Sequence, residues 1–323
     1  MMADKHVLNR RALCLGVLGG ALAHALPGRA QSPATQPQGR GRGAEPASYR
    51  LFSNPPDTHA LQRRVVTIDA ERSYQIFTAV PRKPHGGSGY RALYMLDGNS
   101  VFNRMTAEQL ALAQDTVLIG IGYDTPFAID SVSRSRDYTP PRSDGAVVDA
   151  GRSARPIGGA PRFLELMQGE LRSRSEEGLE IDPRYRGLWG HSYGGLFTLF
   201  ALFNAPDAWS CYCPISPSTG WGEGVLGDYE QKAARRSVGQ ADVFIALGDS
   251  ERRGSRPPGS GQGEVKPEPL PAPMPSATTM ALIERLKQRR DLAVQSEVFA
   301  GLGHGQTFAA SFPRAFQVVA EHR

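Results

Sequence analysis

The stretch "GLWGHSYGGLFTLFALF" at residues 187–203 constrains the fold more than any other part of the chain. A short strand-like segment ends at Ser192, and a long apolar segment of helical character follows it. Glycines stand two residues before and after the serine, at Gly190 and Gly194, where a sharp strand-to-helix turn requires small residues. A glycine-rich bend without a catalytic role has the same composition. The strand before the serine and the helix after it favour a nucleophilic Ser192 on a strained turn.

Strand-like and helix-like segments alternate along the rest of the chain. Residues 63–68 and 74–80 predict an antiparallel strand pair. Further strands are predicted at 91–96, 116–123, 186–191, 242–247 and 293–299, and helices at 103–114, 161–177, after Ser192, at 277–290 and at 307–322. Nearly continuous apolar strands that alternate with helices indicate an α/β fold, in which one mainly parallel sheet carries helices on both faces.

The N-terminal region predicts export from the cytoplasm. Residues 1–30 have a basic start, an apolar middle and small residues before a cleavage point after Ala30, which is the pattern of a signal peptide rather than a stable membrane anchor. The segment "NRRALCLG" resembles a twin-arginine signal, and the ordinary export route stays open as the alternative. Both routes lead to the periplasm.

Composition divides the remaining chain into a linker and one domain. Residues 31–48 are rich in Pro, Gln, Gly and Ser and predict a disordered linker. Residues 49–323 predict a single domain, interrupted at 254–276 by a Pro- and Gly-rich surface insertion. The oligomeric state stays open.

Charge and cysteine usage argue against several classes of partner. The net charge is +5, but four basic residues and one acid in the signal account for +3, so the rest carries only +2 and does not indicate nucleic-acid binding. Cys211 and Cys213 would point to the same side of a strand, in a poor geometry for a disulfide, and we interpret them as small buried residues. Because no Cys/His group has ligand-like spacing, no metal and no cofactor is expected.

A nucleophilic serine needs a base within hydrogen-bonding reach. Of seven histidines, only His304 follows the last predicted strand in a glycine-flanked loop, and this position preserves the chain order serine, acid, histidine. The acid should follow the strand at 242–247, where Glu251 is favoured and Asp249 is the alternative. Either carboxylate could instead be solvated and pair with a neighbouring arginine. We expect Ser192 Oγ within about 2.6–3.2 Å of a His304 ring nitrogen, with a somewhat longer distance when no ligand is bound.

An oxyanion hole requires two backbone N–H groups near the attacked carbonyl. One is expected from Tyr193, directly after the nucleophile, and the other from Asn99, in the loop after the strand at 91–96. Asp97 is interpreted as a structural residue of that loop.

Four separated motifs together resemble the periplasmic siderophore trilactone esterases, the enterochelin-esterase branch of the α/β-hydrolases. They are "LYMLDGNSVFNRM", "IGIGY" followed by "SRSRDYTPP", "GHSYGGLF" followed by "SPSTGWG", and "GLGHGQTFAASF". The resemblance implies hydrolysis of the triserine lactone of enterobactin-like siderophores, with Ser192 as nucleophile and His304 as base. It also implies that the third triad member can be absent, which leaves a Ser–His dyad open.

The resemblance further implies that Arg134, before "DYTP", meets an anionic ligand, and Arg136 beside it is a second candidate. A guanidinium suits a catecholate because it can meet the oxygens or stack on the ring. Tyr138 and Trp221 are candidate platforms for those rings, with core or rim packing as the alternative. For the arginines the alternative is salt bridges to Asp130 and Asp137.

Three other functions compete with this interpretation. The chain could hydrolyse feruloyl or acetyl esters, transfer an acyl group to a sugar as other members of the superfamily do, or bind a ferric siderophore without catalysis. Which small molecule the protein binds or converts therefore decides between these functions.

Overall fold

A computed structural model describes residues 45–150, 154–234, 240–251 and 276–322 of the chain. The predicted signal peptide, residues 31–44 of the predicted linker, and residues 254–275 of the predicted insertion lie outside these residues.

Ten strands occur in the described ranges. They are β1 (His59–Thr67), β2 (Ser73–Pro81), β3 (Tyr90–Leu96), β4 (Thr116–Tyr123), β5 (Val148–Asp149), β6 (Arg155–Pro156), β7 (Ile181–His191), β8 (Cys211–Ile215), β9 (Ala241–Gly248) and β10 (Leu292–Phe299). Eight form one sheet in the order β1-β2-β4-β3-β7-β8-β9-β10, while β5 and β6 pair separately. The pairs β1–β2 and β2–β4 are antiparallel and the other five pairs of this sheet are parallel, so the predicted mainly parallel α/β architecture is confirmed.

Eleven α-helices connect and cover the strands in the same ranges. They are α1 (Arg50–Ser53), α2 (Gly98–Arg104), α3 (Ala107–Leu110), α4 (Ser131–Tyr138), α5 (Ala160–Gln168), α6 (Glu170–Ser175), α7 (Tyr193–Asn204), α8 (Leu226–Ala233), α9 (Ala277–Lys287), α10 (Thr307–Ala310) and α11 (Phe312–Glu321). No helix in this part of the chain combines the length and apolar character that a membrane crossing needs.

The sheet has a hydrophobic core on each face. On one face, Tyr94 and Leu188 pack with apolar residues of α5, α7 and α9. On the other face, Leu93 and Trp189 pack with residues of α2, α10 and α11. All eight residues of β4 are buried, since both sides of that strand are covered. Covered faces explain the continuous apolar runs from which the strands were predicted.

Three predicted helices are interrupted in the structure. The prediction of one continuous helix at 103–114 was wrong. Met105 is extended, and Thr106 is the N-cap of α3 and forms a capping box with Gln109. The helix predicted at 161–177 breaks at Gly169, whose φ of −109° and ψ of −107° are not helical. The closing helix divides at Ser311, two residues before Pro313, which has no N–H to continue the hydrogen-bond ladder.

Two other features differ from the sequence-based expectation. β8 was not predicted, because it is short and contains Pro214, a residue that argues against a central strand. Contacts with the domain are already present at Glu45, four residues before the predicted start at Tyr49. The Glu45 carbonyl accepts a hydrogen bond from Ala128 N, and Ala47 N donates to Pro126 O at 3.0 Å. This pairing corrects the last four residues of the predicted linker.

Cys211 and Cys213 lie on the same face of β8, buried and free of a disulfide, with their sulfurs 3.7 Å apart. The structure confirms their interpretation as small buried residues.

The crossing of β7 and α7 predicts a strong glycine requirement at Gly190. A Cβ there would lie 2.3 Å from the Gly194 carbonyl oxygen, so Gly190→Ala should lower the free energy of unfolding by about 2 kcal/mol or more. Gly227→Ala is the matched control, because that position in α8 is open and alanine should stabilise the helix by up to about 1 kcal/mol. Urea unfolding measures both. Equal midpoints for the two variants would contradict the close approach.

Candidate active site

Ser192 lies on the turn between β7 and α7 in a strained backbone conformation. Its φ of 60° and ψ of −112° are rare for a residue with a Cβ. Neighbouring backbone holds the turn: Ser192 N donates to Ile215 O at 3.0 Å, and Ser218 N donates to Ser192 O at 3.1 Å. A Cβ on Gly195 would lie 2.9 Å from the same Ile215 oxygen. The small residues therefore allow β8 to approach and fix the serine.

His304 is paired with Glu251. Its Nδ1 lies 3.2 Å from Glu251 Oε2, and the Glu251 side chain is only 4% exposed whereas that of His304 is 39% exposed. The other carboxylate oxygen accepts hydrogen bonds from Gly248 N, at 2.7 Å, and from Ser216 Oγ. A proton on Nδ1 satisfies the carboxylate and leaves Nε2 as the basic nitrogen.

The electrostatics keep Glu251 ionised. Burial raises the pKa of this carboxyl, but hydrogen bonds from His304, Gly248 and Ser216 outweigh burial and lower the pKa below its ordinary value. The carboxylate can therefore orient the imidazole and stabilise the positive charge that appears when His304 takes up a proton.

Asp249, the alternative acid, is engaged elsewhere. Its Oδ1 accepts hydrogen bonds from Gly301 N at 2.8 Å and from Ser250 Oγ at 2.9 Å. These contacts fix the turn after β10. Of the two acids that the sequence left open, the structure brings only Glu251 to His304.

The hydroxyl of Ser192 forms no hydrogen bond to His304 in the described ranges, in contrast to the expectation from the sequence. Its hydrogen-bond partner is Ser218 Oγ at 3.4 Å. The two residues nevertheless share one site, because His191, next to the serine, has its ring 4.7 Å from the His304 ring. Catalytic hydrogen bonds are often loose in ligand-free enzymes and tighten when the substrate binds.

His191 supports the loop that carries His304. Its Nε2 lies 2.7 Å from the His304 carbonyl oxygen and 3.2 Å from Thr307 Oγ1. Burial, followed by the charge of His304, lowers the pKa of His191 to about 3. The ring is therefore neutral at physiological pH, and its Nε2–H donates to the His304 backbone.

The hydroxyls of Thr307 and Ser216, which were not predicted from the sequence, complete the hydrogen-bond network around His304 and Glu251. Thr307 Oγ1 donates to His304 O at 2.8 Å and lies 2.7 Å from Ser216 Oγ. Ser216 in turn donates to Glu251. Two sequence positions could have identified these residues. Ser216 comes directly after β8, and Thr307 comes three residues after His304.

The two predicted oxyanion donors begin neighbouring helices. Tyr193 is the first residue of α7 and Asn99 the second residue of α2. The Asn99 side chain is occupied, since its Oδ1 accepts from Tyr123 N at 2.7 Å and its Nδ2 donates to Tyr49 Oη at 2.8 Å. A Cβ on Gly194 would be 3.7 Å from Asp97 Oδ2, so the two helix starts adjoin. Backbone N–H groups at helix starts point outward and attract negative charge.

Arg134 and Arg136 both pair with carboxylates, which was the alternative to a ligand-binding role. Arg134 forms two hydrogen bonds of 2.9 Å to Asp97, and its side chain is 13% exposed. Arg136 pairs with Asp137, with Nε 2.6 Å from Oδ1. Asp130 caps α4 instead of binding an arginine. Both guanidiniums are thus neutralised by carboxylates within the domain, and their contact with a ligand stays a prediction.

The two predicted aromatic platforms have different environments. Tyr138 is fully buried, its hydroxyl accepts a hydrogen bond from Asp97 N at 3.0 Å, and its ring packs on Phe163 and Phe197. These contacts favour the core-packing alternative for Tyr138. Trp221 is half-buried and its N donates to Ser218 O, so it lies beside the hydroxyl partner of Ser192 and keeps its candidate role.

Comparison with known proteins agrees with the resemblance that the sequence motifs indicated. A protein-family model described as "Putative esterase" matches residues 69–317. The chain belongs to this family. Apo-salmochelin esterase from Escherichia coli O6:H1 (strain CFT073) is 35% identical over 253 residues, which are 77% of this chain and 75% of that protein. Ferri-bacillibactin esterase BesA from Bacillus subtilis (strain 168) is 31% identical over 205 residues, 59% and 70% of the two chains.

Solved structures agree with these relatives. The "Enterobactin and Salmochelin Hydrolase IroE" superimposes with a TM-score of 0.66 and 28% identity over 84% of this chain and 99% of that chain. A complex of IroE with DFP, an inhibitor of serine hydrolases, gives a TM-score of 0.65 at the same identity and coverage. The protein is an α/β-hydrolase and a carboxylic ester hydrolase with a serine nucleophile, and the resemblance seen in the motifs is confirmed.

The buried His191 predicts a specific loss of stability in acid. The unfolded chain binds a proton at this residue below about pH 6.5, whereas the folded protein does not until about pH 3. Stability should therefore fall as the pH decreases between these values, by about 1.4 kcal/mol per pH unit. His191→Gln keeps a donor for the His304 carbonyl and removes the titration.

Urea unfolding between pH 7 and pH 4 tests this expectation. The variant should lose less stability over that range than the natural protein. His59 also has a pKa lowered by burial, but it is present in both proteins and does not affect the difference. Identical pH dependences would contradict a buried neutral His191.

Proposed function

We propose that this esterase opens the trilactone of enterobactin-like catecholate siderophores in the periplasm, with Ser192 as nucleophile, His304 as base and Glu251 as the acid of a triad. The observation that carries the proposal is the 3.2 Å pairing of a buried Glu251 with His304 in the loop beside the Ser192 turn. The relatives named as esterases of salmochelin and bacillibactin support the substrate class. The predicted signal at residues 1–30 supports the location.

The first half-reaction forms an acyl-enzyme. Ser192 Oγ turns from Ser218 towards His304, whose Nε2 takes the proton while the oxygen attacks a lactone carbonyl. The N–H groups of Tyr193 and Asn99 stabilise the resulting oxyanion. The C–O bond to the leaving serine oxygen of the substrate then breaks, and His304 donates its proton to that oxygen. The ring is opened, with one carbonyl now esterified to Ser192.

The second half-reaction returns the free enzyme. Water gives a proton to His304 Nε2 and attacks the acyl carbon, and the same two amides hold the second oxyanion. The ester bond to Ser192 breaks, and Oγ recovers the proton from His304. The product is a linear siderophore with one new carboxylate. Glu251 stays ionised throughout and holds Nδ1–H of His304.

Charge pairing favours the iron-free siderophore as substrate. A ferric tris-catecholate is polyanionic. A phenol such as that of tyrosine ionises only near pH 10, so the hydroxyls of the iron-free ligand are largely uncharged at neutral pH. Arg134 and Arg136 are already bound to Asp97 and Asp137. Trp221 offers a partly exposed ring for an uncharged catechol. The name of the Escherichia coli relative specifies an apo-siderophore, although that of the Bacillus relative specifies a ferric one.

Product analysis tests the substrate. The protein is incubated with enterobactin or with methyl ferulate, each with and without iron, and the products are separated by chromatography. We expect linear products from iron-free enterobactin, formed faster than from the ferric complex, and none with Ser192→Ala. Cleavage of ferulate with intact enterobactin would assign a different esterase. Tryptophan quenching by the ferric complex without any linear product would indicate a binding protein.

Two variants, each of which replaces a carboxylate by the corresponding amide, test which acid completes the triad. Glu251→Gln keeps an oxygen for Gly248 N but presents an amide to His304 Nδ1, which favours the wrong tautomer and should lower kcat by about 10²- to 10⁴-fold. Asp249→Asn keeps the oxygen that binds Gly301 N and should change kcat by less than about 3-fold. Steady-state hydrolysis of a chromogenic short-chain ester measures both. Equal activity of the two variants would leave a Ser–His dyad.

A further inference from the structure

Arg134 lies between the two backbone segments that flank the proposed oxyanion site. Its Nε and Nη2 each donate to Asp97, which directly follows β3, at 2.9 Å. Nη2 also lies 3.5 Å from the carbonyl oxygen of His191, the last residue of β7. Asn99 comes two residues after Asp97, and Tyr193 comes two residues after His191. One guanidinium therefore connects the segments that carry both amide donors.

The backbone at Asp97 needs such a restraint. Its φ of 55° and ψ of 44° are left-handed, a conformation that an L-residue rarely adopts, and its side chain does not cap α2. The conformation is held from two sides, by Arg134 at the carboxylate and by the Tyr138 hydroxyl, which accepts from Asp97 N at 3.0 Å. Without the ion pair the segment can relax, and the Asn99 amide moves with it.

The surroundings of Arg134 are those of an internal ion pair. The Asp97 side chain is 3% exposed and the Arg134 side chain 13% exposed. The guanidinium carbon lies 5.5 Å from the Tyr138 ring centre and 5.4 Å from that of Tyr193. An anionic group that replaced Asp97 at Nε and Nη2 would leave a buried carboxylate without its cation, which is strongly unfavourable.

We propose that Arg134 is a positioning residue of the oxyanion site, which acts through Asp97 and the His191 carbonyl, and that it does not bind the anionic groups of the substrate. The inference rests on the proposed function, because it assumes Ser192 as nucleophile and the amides of Tyr193 and Asn99 as donors. It reassigns the arginine that the family resemblance linked to the ligand.

The two roles predict different kinetics for Arg134→Gln. A positioning role lowers kcat by roughly 10- to 100-fold, because small displacements of preorganised donors are costly, and it does so equally for a neutral and a charged substrate. KM should change by less than about 3-fold. A ligand-binding role raises KM for the charged substrate and leaves the neutral one unchanged. The substrates are p-nitrophenyl butyrate, iron-free enterobactin and ferric enterobactin.

Arg186→Gln is the matched control. Arg186 forms a bidentate pair with Glu176, with both distances 2.7 Å. Its side chain is about as buried as that of Arg134, at 15% exposed, although Glu176 at 16% is more exposed than Asp97 at 3%. Arg186 lies five residues before His191 in β7, roughly 16 Å along the strand from the turn. Its loss should lower the melting temperature without lowering kcat. A kcat effect of Arg134→Gln alone therefore separates positioning from general destabilisation.

A double variant covers the case in which Arg134→Gln does not fold. Asp97→Asn combined with Arg134→Gln removes both charges and leaves no unpaired ion. Because the two residues act as one unit, its kcat should be reduced to a similar extent as that of the single variant. Wild-type kcat in the double variant, equal kcat effects of Arg134→Gln and Arg186→Gln, or a selective rise in KM for ferric enterobactin would each overturn the proposal. Retained ester hydrolysis by Ser192→Ala would instead refute the proposed nucleophile.

Discussion

Parallel pairing of β3, β7, β8, β9 and β10 places the ends of five strands along one edge of the sheet. A polar residue of the site follows each strand. Asp97, Ser192 and Ser216 come directly after β3, β7 and β8, whereas Glu251 comes three residues after β9 and His304 five residues after β10. In open α/β sheets, the carboxyl ends of the strands are where ligands bind. Residues that are far apart in sequence therefore meet because the strands share a direction and a register. Every chemical feature of the site depends on that constraint.

The edge is organised by buried hydrogen bonds rather than by long exposed side chains. Glu251 holds His304 on one side and accepts from Ser216 and Gly248 on the other. His191 and Thr307 both fix the backbone carbonyl of the His304 loop. In a low-dielectric environment, a fully satisfied network of this kind resists displacement. The ring of His304 keeps enough exposure to reach a substrate while its backbone stays fixed.

Most of the fold could be predicted from the sequence because buried parallel strands appear as continuous apolar runs. The misses have local causes: Thr106 and Gly169 end helices through capping and backbone geometry that apolar periodicity does not report. Ser192, His304 and Glu251 could be chosen because their positions follow predicted strands. Arg134 and Tyr138 could not be placed, because their partner Asp97 lies about forty residues earlier and only the folded chain shows that they meet. A sequence shows which charges exist, but not which carboxylate neutralises each one.

The most direct measurement is a crystal structure of the protein after reaction with DFP. We expect phosphorus bonded to Ser192 Oγ and the phosphoryl oxygen about 3 Å from the backbone nitrogens of Tyr193 and Asn99, with the His304–Glu251 pair intact. Phosphorus on another residue, or a phosphoryl oxygen turned away from both amides, would contradict the assembly of one catalytic site at this edge of the sheet.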